Sequence, residues 1–336
     1  MEHASPITIY EIPILLIVFN RIDTLQVTFD AIKAQKPKFL FIAGDAARPH
    51  IESEAEKVTT ARAIVEQIDW DCEVKTFFRE TNSGSPAIAV TECISWFFDQ
   101  VEYGIIFEHD CVPHPDYFAF CRECLLKYKN DERVSAINGV NFQDGQHRGD
   151  ASYYFSATGT STWGMASWRR FWKHYDVTLQ NYLFESMKKD ADFYGFSWKE
   201  RMMRNDRYRL LKSRKTNDWT YQTGFASNKI HGLFLVANTN LISNIGGGAE
   251  ALNYKDNNNW RLYRKTYSIL PVVHADCVQR NLDADSYQYN KVTLRPTIVL
   301  PLLHKSVEVN LSNLPVALLF FAWRWFRRVF IEKPKY

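Results

Sequence analysis

The 336-residue chain has almost no imbalance of charge: 41 Lys and Arg stand against 38 Asp and Glu, a formal net charge of +3. So small an excess argues against nucleic acid as a partner. Val309–Trp323 is free of charge for 15 residues, short of the roughly 20 that span a bilayer. Cysteine is sparse, with six in all. The polar start Met1–Glu11 lacks the apolar core of a secretory signal, so the expectation is a cytoplasmic chain with reduced thiols. Cys121 and Cys124 form a CxxC, with Cys111 and His114 just upstream. No second CxxC completes a zinc set, and Phe118–Tyr128 has helical apolar spacing. Repeats and low-complexity tracts are also missing. What is plentiful is aromatic: 15% of the residues, including 10 Trp. An aromatic core explains this first, carbohydrate-facing rings second.

The first 110 residues alternate between apolar runs and amphipathic stretches. Ile12–Phe19 reads as a strand buried on both faces, and Asp23-Thr24 as a capping pair before a helix to about Ala34. Phe39–Ala43 is a second strand, ending in Gly44-Asp45; Glu52–Ile68 is a helix and Cys72–Phe78 a third strand. Asn82–Ser85 is a turn, followed by a helix from Pro86 to about Phe98 and a fourth strand at Gly104–Phe107. This order predicts an α/β fold with a doubly wound, mostly parallel sheet. Farther on, Lys188–Lys215 reads as helical, Asp218–Ile230 as a helix capped by Asn217 or Asp218, and Leu233–Ala237 as a strand. Ile245–Gly248 is a glycine turn.

The fourth strand runs into Glu108-His109-Asp110 and is stopped by Pro113. Side chains two apart in an extended chain point the same way. Glu108 and Asp110 can therefore face one point, with His109 turned away. Acids at the C-terminal end of a strand lie where open α/β sheets bind ligands, and a pair can hold a divalent cation against a diphosphate. The alternative is a solvated loop that happens to carry two acids.

Several ordered motifs resemble those of nucleotide-sugar-dependent glycosyltransferases of the GT-A fold, and in particular a bacterial group labelled hemolytic protein HlpA-like. They are FNRIDTLQVTFDAI, IAGDAARP, IDWDCEVKTFFRETNSG, FEHDCVPHPDYFAFC, STWGMASWRRFWKHYD, NDWTYQTGF and NTNLISNIGGGAE. The resemblance runs from Ile12 to Tyr254, and it implies a GT-A domain over 12–265. Residues 12–150 would then bind the nucleotide-sugar and 151–265 the acceptor, followed by an extension over 266–310. It further implies that Asn20 and Arg21 meet the nucleotide or a phosphate, and that Asp45 accepts from uracil or ribose, unless it only caps a turn. Asn82 and Gly84 match the turn near the nucleotide. Glu108 and Asp110 match the acidic motif that binds Mn²⁺ or Mg²⁺ and the sugar diphosphate. His109 stands where that motif usually carries Asp, with the donor sugar or ribose within its reach. Asn253 stands where relatives often carry a His that is a further metal ligand. Trp163 and Gly164 stand where relatives shape the floor under the donor sugar, although a lone Trp is more often core.

Glycosyl transfer with inversion needs a carboxylate that takes the acceptor's proton. Asp218, at the start of a helix and beside Trp219 as a stacking face, is the first candidate, with a plain N-cap as the alternative. Glu250, after the glycine turn, is the second. Arg169 and Arg170 read either as phosphate ligands or as an exposed basic pair. Residues 311–336 form an amphipathic basic and aromatic tail: Arg324, Arg327 and Arg328 share one helical face, beside Leu318, Phe321, Trp325 and Phe326. Such a tail lies on an anionic membrane or packs on protein. The resulting expectation is a transferase moving a sugar from a UDP-sugar to a saccharide or lipid-linked acceptor in cell-surface polysaccharide or lipopolysaccharide synthesis, peripheral on the inner face of the cell membrane. Two other classes compete. A sugar nucleotidyltransferase would carry a glycine-rich loop after the first strand, which FNRIDTLQ lacks. A membrane-damaging protein would be dominated by amphipathic segments, and here only the tail qualifies.

Overall fold

Apolar runs of five or six residues become strands, and the helices between them carry one apolar face each. The computed structural model describes residues 10–159, 161–213, 218–248, 251, 255, 259–293, 297–300 and 305–308. In chain order the elements are β1 (Ile14–Val18), α1 (Ile22–Lys33), β2 (Phe39–Gly44), α2 (Glu54–Arg62), β3 (Glu73–Phe78), α3 (Pro86–Gln100), β4 (Tyr103–Glu108), β5 (Cys111–Pro113) and α4 (Asp116–Lys127). They continue with β6 (Val134–Asn138), β7 (Tyr153–Ser156), β8 (Met165–Trp168), α5 (Arg169–Trp172), α6 (Phe184–Phe193), α7 (Trp198–Lys212), α8 (Thr220–Lys229), β9 (Leu233–Ala237), β10 (Ile242–Asn244) and α9 (Leu282–Tyr287).

Eight strands form one sheet in the order β3-β2-β1-β4-β8-β6-β9-β7, and β5 pairs with β10 in a separate two-stranded ladder. β1 to β4 run parallel; β8 and β7 run against their neighbours. This is the expected α/β arrangement, a large mostly parallel sheet flanked by helices. Because β4 pairs with β8, the sheet crosses the boundary at residue 150 without a break. One compact unit extends to Asp285. The remainder forms a second unit, in which β11 (Thr297–Leu300) and β12 (Lys305–Glu308) make an antiparallel hairpin. The tail 311–336 lies outside the described residues, and among the described residues no helix is long and apolar enough to cross a membrane.

Every residue of β1 is buried. Leu15 aligns with Phe41 and Ile106, and these side chains meet α3 on one face through Val90, Ile94 and Phe97. Phe97 packs edge-on to Phe41 at 5.0 Å. On the opposite face Phe107 meets Tyr117 and Phe118 of α4, at 6.0 and 5.9 Å. Burying one such ring stabilises the fold by about 1.5–3 kcal/mol. The aromatic abundance is therefore largely core. Cys121 and Cys124 fall on the buried side of α4.

The differences from the sequence reading have local causes. α1 begins at Ile22 with Arg21 as its N-cap and no side-chain cap bond, so Asp23-Thr24 is not the capping pair. Asp23 instead pairs with Arg21. Lys188–Lys215 is not one helix: Gly195, with φ +62°, ends α6 while its amide and that of Phe196 cap the free carbonyls. Ser197 and Glu200 then start α7 with a reciprocal capping box. α8 starts at Thr220 rather than Asp218, and Asn217 lies outside the described residues.

The phosphate reading of Arg169 and Arg170 is corrected. Both follow β8, whose antiparallel course sets Trp168 opposite Tyr103 at the start of β4, on the sheet edge away from Glu108. Arg169 donates to the carbonyls of Val101 and Asp99 at the end of α3. Arg170 donates to Tyr128, Lys129 and Val134 past the end of α4. They are helix-end clamps, saturating carbonyls that a helix leaves without partners. Arg170→Ala should cost about 2–3 kcal/mol in urea unfolding, because three charge-assisted bonds are lost. Arg170→Lys should recover little, because one ammonium cannot replace the fork.

Candidate active site

The strand order reverses at β1: β2 and β3 lie on one side of it and β4 on the other. The crevice beyond the C-terminal ends of β1 and β4 is therefore the switch point where such sheets take ligands. Asn20 and Arg21 follow β1 into it, and Glu108 ends β4 beside them.

Glu108 is the most perturbed acid there. Burial first, then the neighbouring Asp110 carboxylate, then Asp218, push its carboxyl up to about 8, opposed by a hydrogen bond from the Trp219 indole. Residues 110 apart in sequence, Glu108 and Asp218, thus share one electrostatic environment. Asp110 is enclosed on two sides. The Cys111 thiol donates to its Oδ1 at 3.3 Å. Its Oδ2 lies so close to Gly246 that a Cβ there would stand 1.9 Å away, and only glycine fits. The ladder between β5 and β10 sets this contact, with Asn244 opposite Cys111 and the Ile245 amide donating to the Asp110 carbonyl at 2.9 Å. Asn244 Oδ1 accepts from the Gly246 amide at 2.9 Å and fixes the start of the glycine turn.

His109 faces the other way. Its Nδ1 lies 3.3 Å from Thr24 Oγ1 on α1, and its carbonyl accepts from Thr28 Oγ1 at 3.1 Å. Burial, partly offset by Asp110, pulls its pKa down. Arg21 spans the crevice from β1 to the glycine turn: it pairs with Asp23 and donates to the Gly247 carbonyl at 3.4 Å. Asn20 donates to the buried Glu54, which also pairs with Arg48.

Asp45 is committed to protein partners. Its carboxylate accepts from the amides of Ala46 and Ser83, from Asn82 Nδ2 and Ser83 Oγ, and pairs with Arg79 at 3.2 Å. Asn82 in turn accepts from the Gly84 amide, and Gly84 sits at φ +73°. The turn 82–85 is thus built around Asp45, in the capping role that the sequence left open for it. Glu250 and Asn253 lie outside the described residues.

Trp219 differs from its expected role. It is 6% exposed and its indole N–H is bonded to Glu108, so its ring is not a stacking face. Tyr175 Oη donates to its carbonyl at 2.8 Å. Asp218 precedes the N-cap Trp219, and its Oδ1 accepts from the amide of Thr220, the first residue of α8, at 2.6 Å. Trp163, which the motifs single out, belongs to an aromatic wall whose other members they do not show. Half-buried Trp163 and Trp260 flank Phe142, with ring centroids 6.3 and 5.4 Å away, and the Arg264 guanidinium lies 5.4 Å from Phe142. The Tyr263 amide donates to the Asn244 carbonyl at 2.9 Å, which ties this wall to β10. Only the spacing of Trp260 beyond the glycine turn, in a polar loop, could have suggested it.

Among the described residues no three His, Cys, Asp or Glu side chains form a metal-binding group. The donor set nevertheless suits Mg²⁺ or Mn²⁺, which are often held by one or two carboxylates with waters and substrate phosphates completing the shell. The mutual repulsion that raises the Glu108 pKa is what a bound cation would relieve.

No family model matches the chain, and no curated protein matches it. Solved structures overlap it in part. A mannosyltransferase from Pyrobaculum calidifontis, in complex with GDP-Man and Mn²⁺, shares 13% identity over 48% of this chain and 45% of its own, with a TM-score of 0.31. A 4-diphosphocytidyl-2C-methyl-D-erythritol synthase from Anaerococcus prevotii shares 10% over 49% and 74%, at 0.30. An inositol-1-phosphate CTP transferase from T. maritima shares 8% over 52% and 76%, at 0.28. The chain spans less than half the length of the mannosyltransferase, and no function passes to it from overlaps of this size.

The raised Glu108 pKa has a consequence for stability. With an ordinary value of 4.5 when unfolded and about 8 when folded, the native state binds more protons between those values. Stability therefore falls as pH rises through that window. Glu108→Gln should remove the penalty, with no gain near pH 4.5 and a gain of roughly 3 kcal/mol at pH 7, following about 1.4 kcal/mol per unit. Thermal melts of the ligand-free protein at acid and alkaline pH measure the difference.

Proposed function

We propose that the chain is a glycosyltransferase that moves a sugar from a nucleoside-diphosphate donor, a UDP-sugar, to a saccharide or glycolipid acceptor. The observation that carries this reading is the convergence of Glu108, Asp110 and Asp218 at the switch-point crevice, closed over by the Gly246 turn. Two adjacent carboxylates suit the diphosphate end of such a donor, and a third from a different element suits the acceptor.

Glu108 and Asp110 would hold the divalent cation, with Asn253 as a further ligand. When bound, the cation supplies charge neutralisation for the departing diphosphate. Trp219 orients Glu108 through its indole N–H, and Cys111 orients Asp110 through its thiol. Asn20, Arg21, Asn82 and Gly84 border the nucleotide, and His109 keeps the acid loop against α1. Asp45 shapes the nucleotide side by holding the turn 82–85. Trp163 lies under the donor sugar. The acceptor hydroxyl attacks the anomeric carbon opposite the leaving group. The bond to the diphosphate breaks with its electron pair, the new glycosidic bond forms, and Asp218 takes the hydroxyl proton, which gives inversion. Glu250 is the alternative base. The acceptor belongs to cell-surface polysaccharide or lipopolysaccharide synthesis, delivered at the inner face of the membrane, with the tail 311–336 as a membrane contact.

Calorimetry with a panel of nucleoside-diphosphate sugars, with and without Mn²⁺, should show metal-dependent binding that Asp110→Ala abolishes. Undiminished binding in that variant would sink the metal assignment. Release of pyrophosphate from a nucleoside triphosphate and a sugar phosphate would instead identify a nucleotidyltransferase. Asp218→Asn should keep donor affinity and lose about 100-fold or more in transfer rate. Gly246→Ala should weaken donor binding about tenfold or more, because the new Cβ must displace the Asp110 carboxylate.

A further inference from the structure

Asp218 and Trp219 stand before Thr220, the first residue of α8, so the helix's own bonds do not fix where they stand. Their backbone is held from another segment. Tyr175 Oη donates to the Trp219 carbonyl at 2.8 Å. Gln222 Nε2 donates to the Asp218 carbonyl at 2.9 Å and to the Val177 carbonyl at 3.1 Å. The stretch 175–177 therefore clasps the start of α8 at two successive peptide groups.

The clasp is itself anchored on the sheet. The Tyr175 ring stacks on Trp172, with centroids 4.2 Å apart and planes 10° apart. The Trp172 indole N–H donates to Ser95 Oγ on α3 at 3.0 Å, and α3 packs on β1, β2 and β4. Stacking and hydrogen bonds thus run unbroken from Ser95 through Trp172, Tyr175 and Trp219 to Glu108 in the crevice. Both members of the clasp are kept as donors. Gln222 is 2% exposed, and among the described residues no donor reaches its Oε1. An apolar side chain would be buried there at less cost, so what the amide contributes is its two N–H bonds. Burial first, with the Asp218 charge adding to it, holds the Tyr175 phenol well above its ordinary value, so its O–H stays a donor.

We propose that Tyr175 and Gln222 are positioning residues that set where the Asp218 carboxylate and the Trp219 indole stand in the crevice. Their effect on turnover rests on the glycosyltransferase reading with Asp218 as base. They act through residues 218 and 219, not on the donor or the acceptor directly.

Two variants test this. Tyr175→Phe keeps the stack on Trp172 and removes only the hydroxyl; Gln222→Met keeps the length and removes both donors. In the ligand-free protein, amide hydrogen exchange over 218–224 should quicken about fivefold or more in each variant, with α3 unchanged. Unchanged exchange over 218–224 in both variants would overturn the proposal. So would equal quickening throughout α3, which would mean a role in general stability. The second arm follows UDP release from the UDP-sugar that binds in calorimetry with Mn²⁺, with water as acceptor. Tyr175→Phe should lower kcat about tenfold or more and leave donor affinity unchanged. Added to Asp218→Asn, it should cause no further loss, because both changes remove one function. Losses that multiply, or a donor affinity that falls with the rate, would overturn action through Asp218. If the intact protein releases no UDP from any donor, the transferase reading fails, and the exchange measurement by itself decides whether the clasp positions Asp218 and Trp219.

Discussion

Three register partners between β5 and β10 hold the candidate site together: Ile242 with Pro113, Ser243 with Val112 and Asn244 with Cys111. Without this ladder the glycine turn would have no fixed relation to the acids that end β4. With it, Gly246 closes on Asp110 and the Gly247 carbonyl reaches Arg21 after β1. One short pairing thus links the start of the sheet, its fourth strand and a segment more than 100 residues later. A Cβ at residue 246 cannot be accommodated unless that pairing or the carboxylate moves.

The enclosure has an electrostatic cost. Burying Glu108 beside Asp110 and Asp218 disfavours its charged form, and the Trp219 indole offsets only part of this. A fold selected for stability alone would not gather three carboxylates in one crevice. Three buried acids elsewhere in the unit have partners: Asp45 in its turn and Arg79, Glu54 in Arg48 and Asn20, and Asp285 in Arg280 and Ser156. The contrast is what makes the crevice the candidate site.

Much of the first 110 residues was legible in the sequence because its signals are local. β1, β2 and β4 announce themselves as apolar runs, and the i, i+2 spacing of Glu108 and Asp110 turns His109 toward α1, where it meets Thr24. The middle of the chain was less legible. β6, β7, β8 and β10 are strands of three to five residues among turns, too short for periodicity to separate from loop. Trp219 looked like a stacking face because an aromatic beside an acid carries no mark of burial; its bond to Glu108 comes from a strand 111 positions away. Arg169 and Arg170 read as phosphate ligands or an exposed basic pair for the same reason, since only the reversed course of β8 shows that they face the ends of α3 and α4.

The sequence by itself determined the alternation of strands and helices over the first 110 residues, the crevice end at which Asn20, Arg21 and Glu108 emerge, and the glycine turn at Gly246. Those follow from side-chain period and backbone sterics within a few residues. Tertiary structure alone decided which acids share a field, which glycine must stay bare and which aromatics are core. Register and crossover bring residues together across more than 100 positions, and no local pattern encodes the distance between side chains that meet only after the sheet has formed.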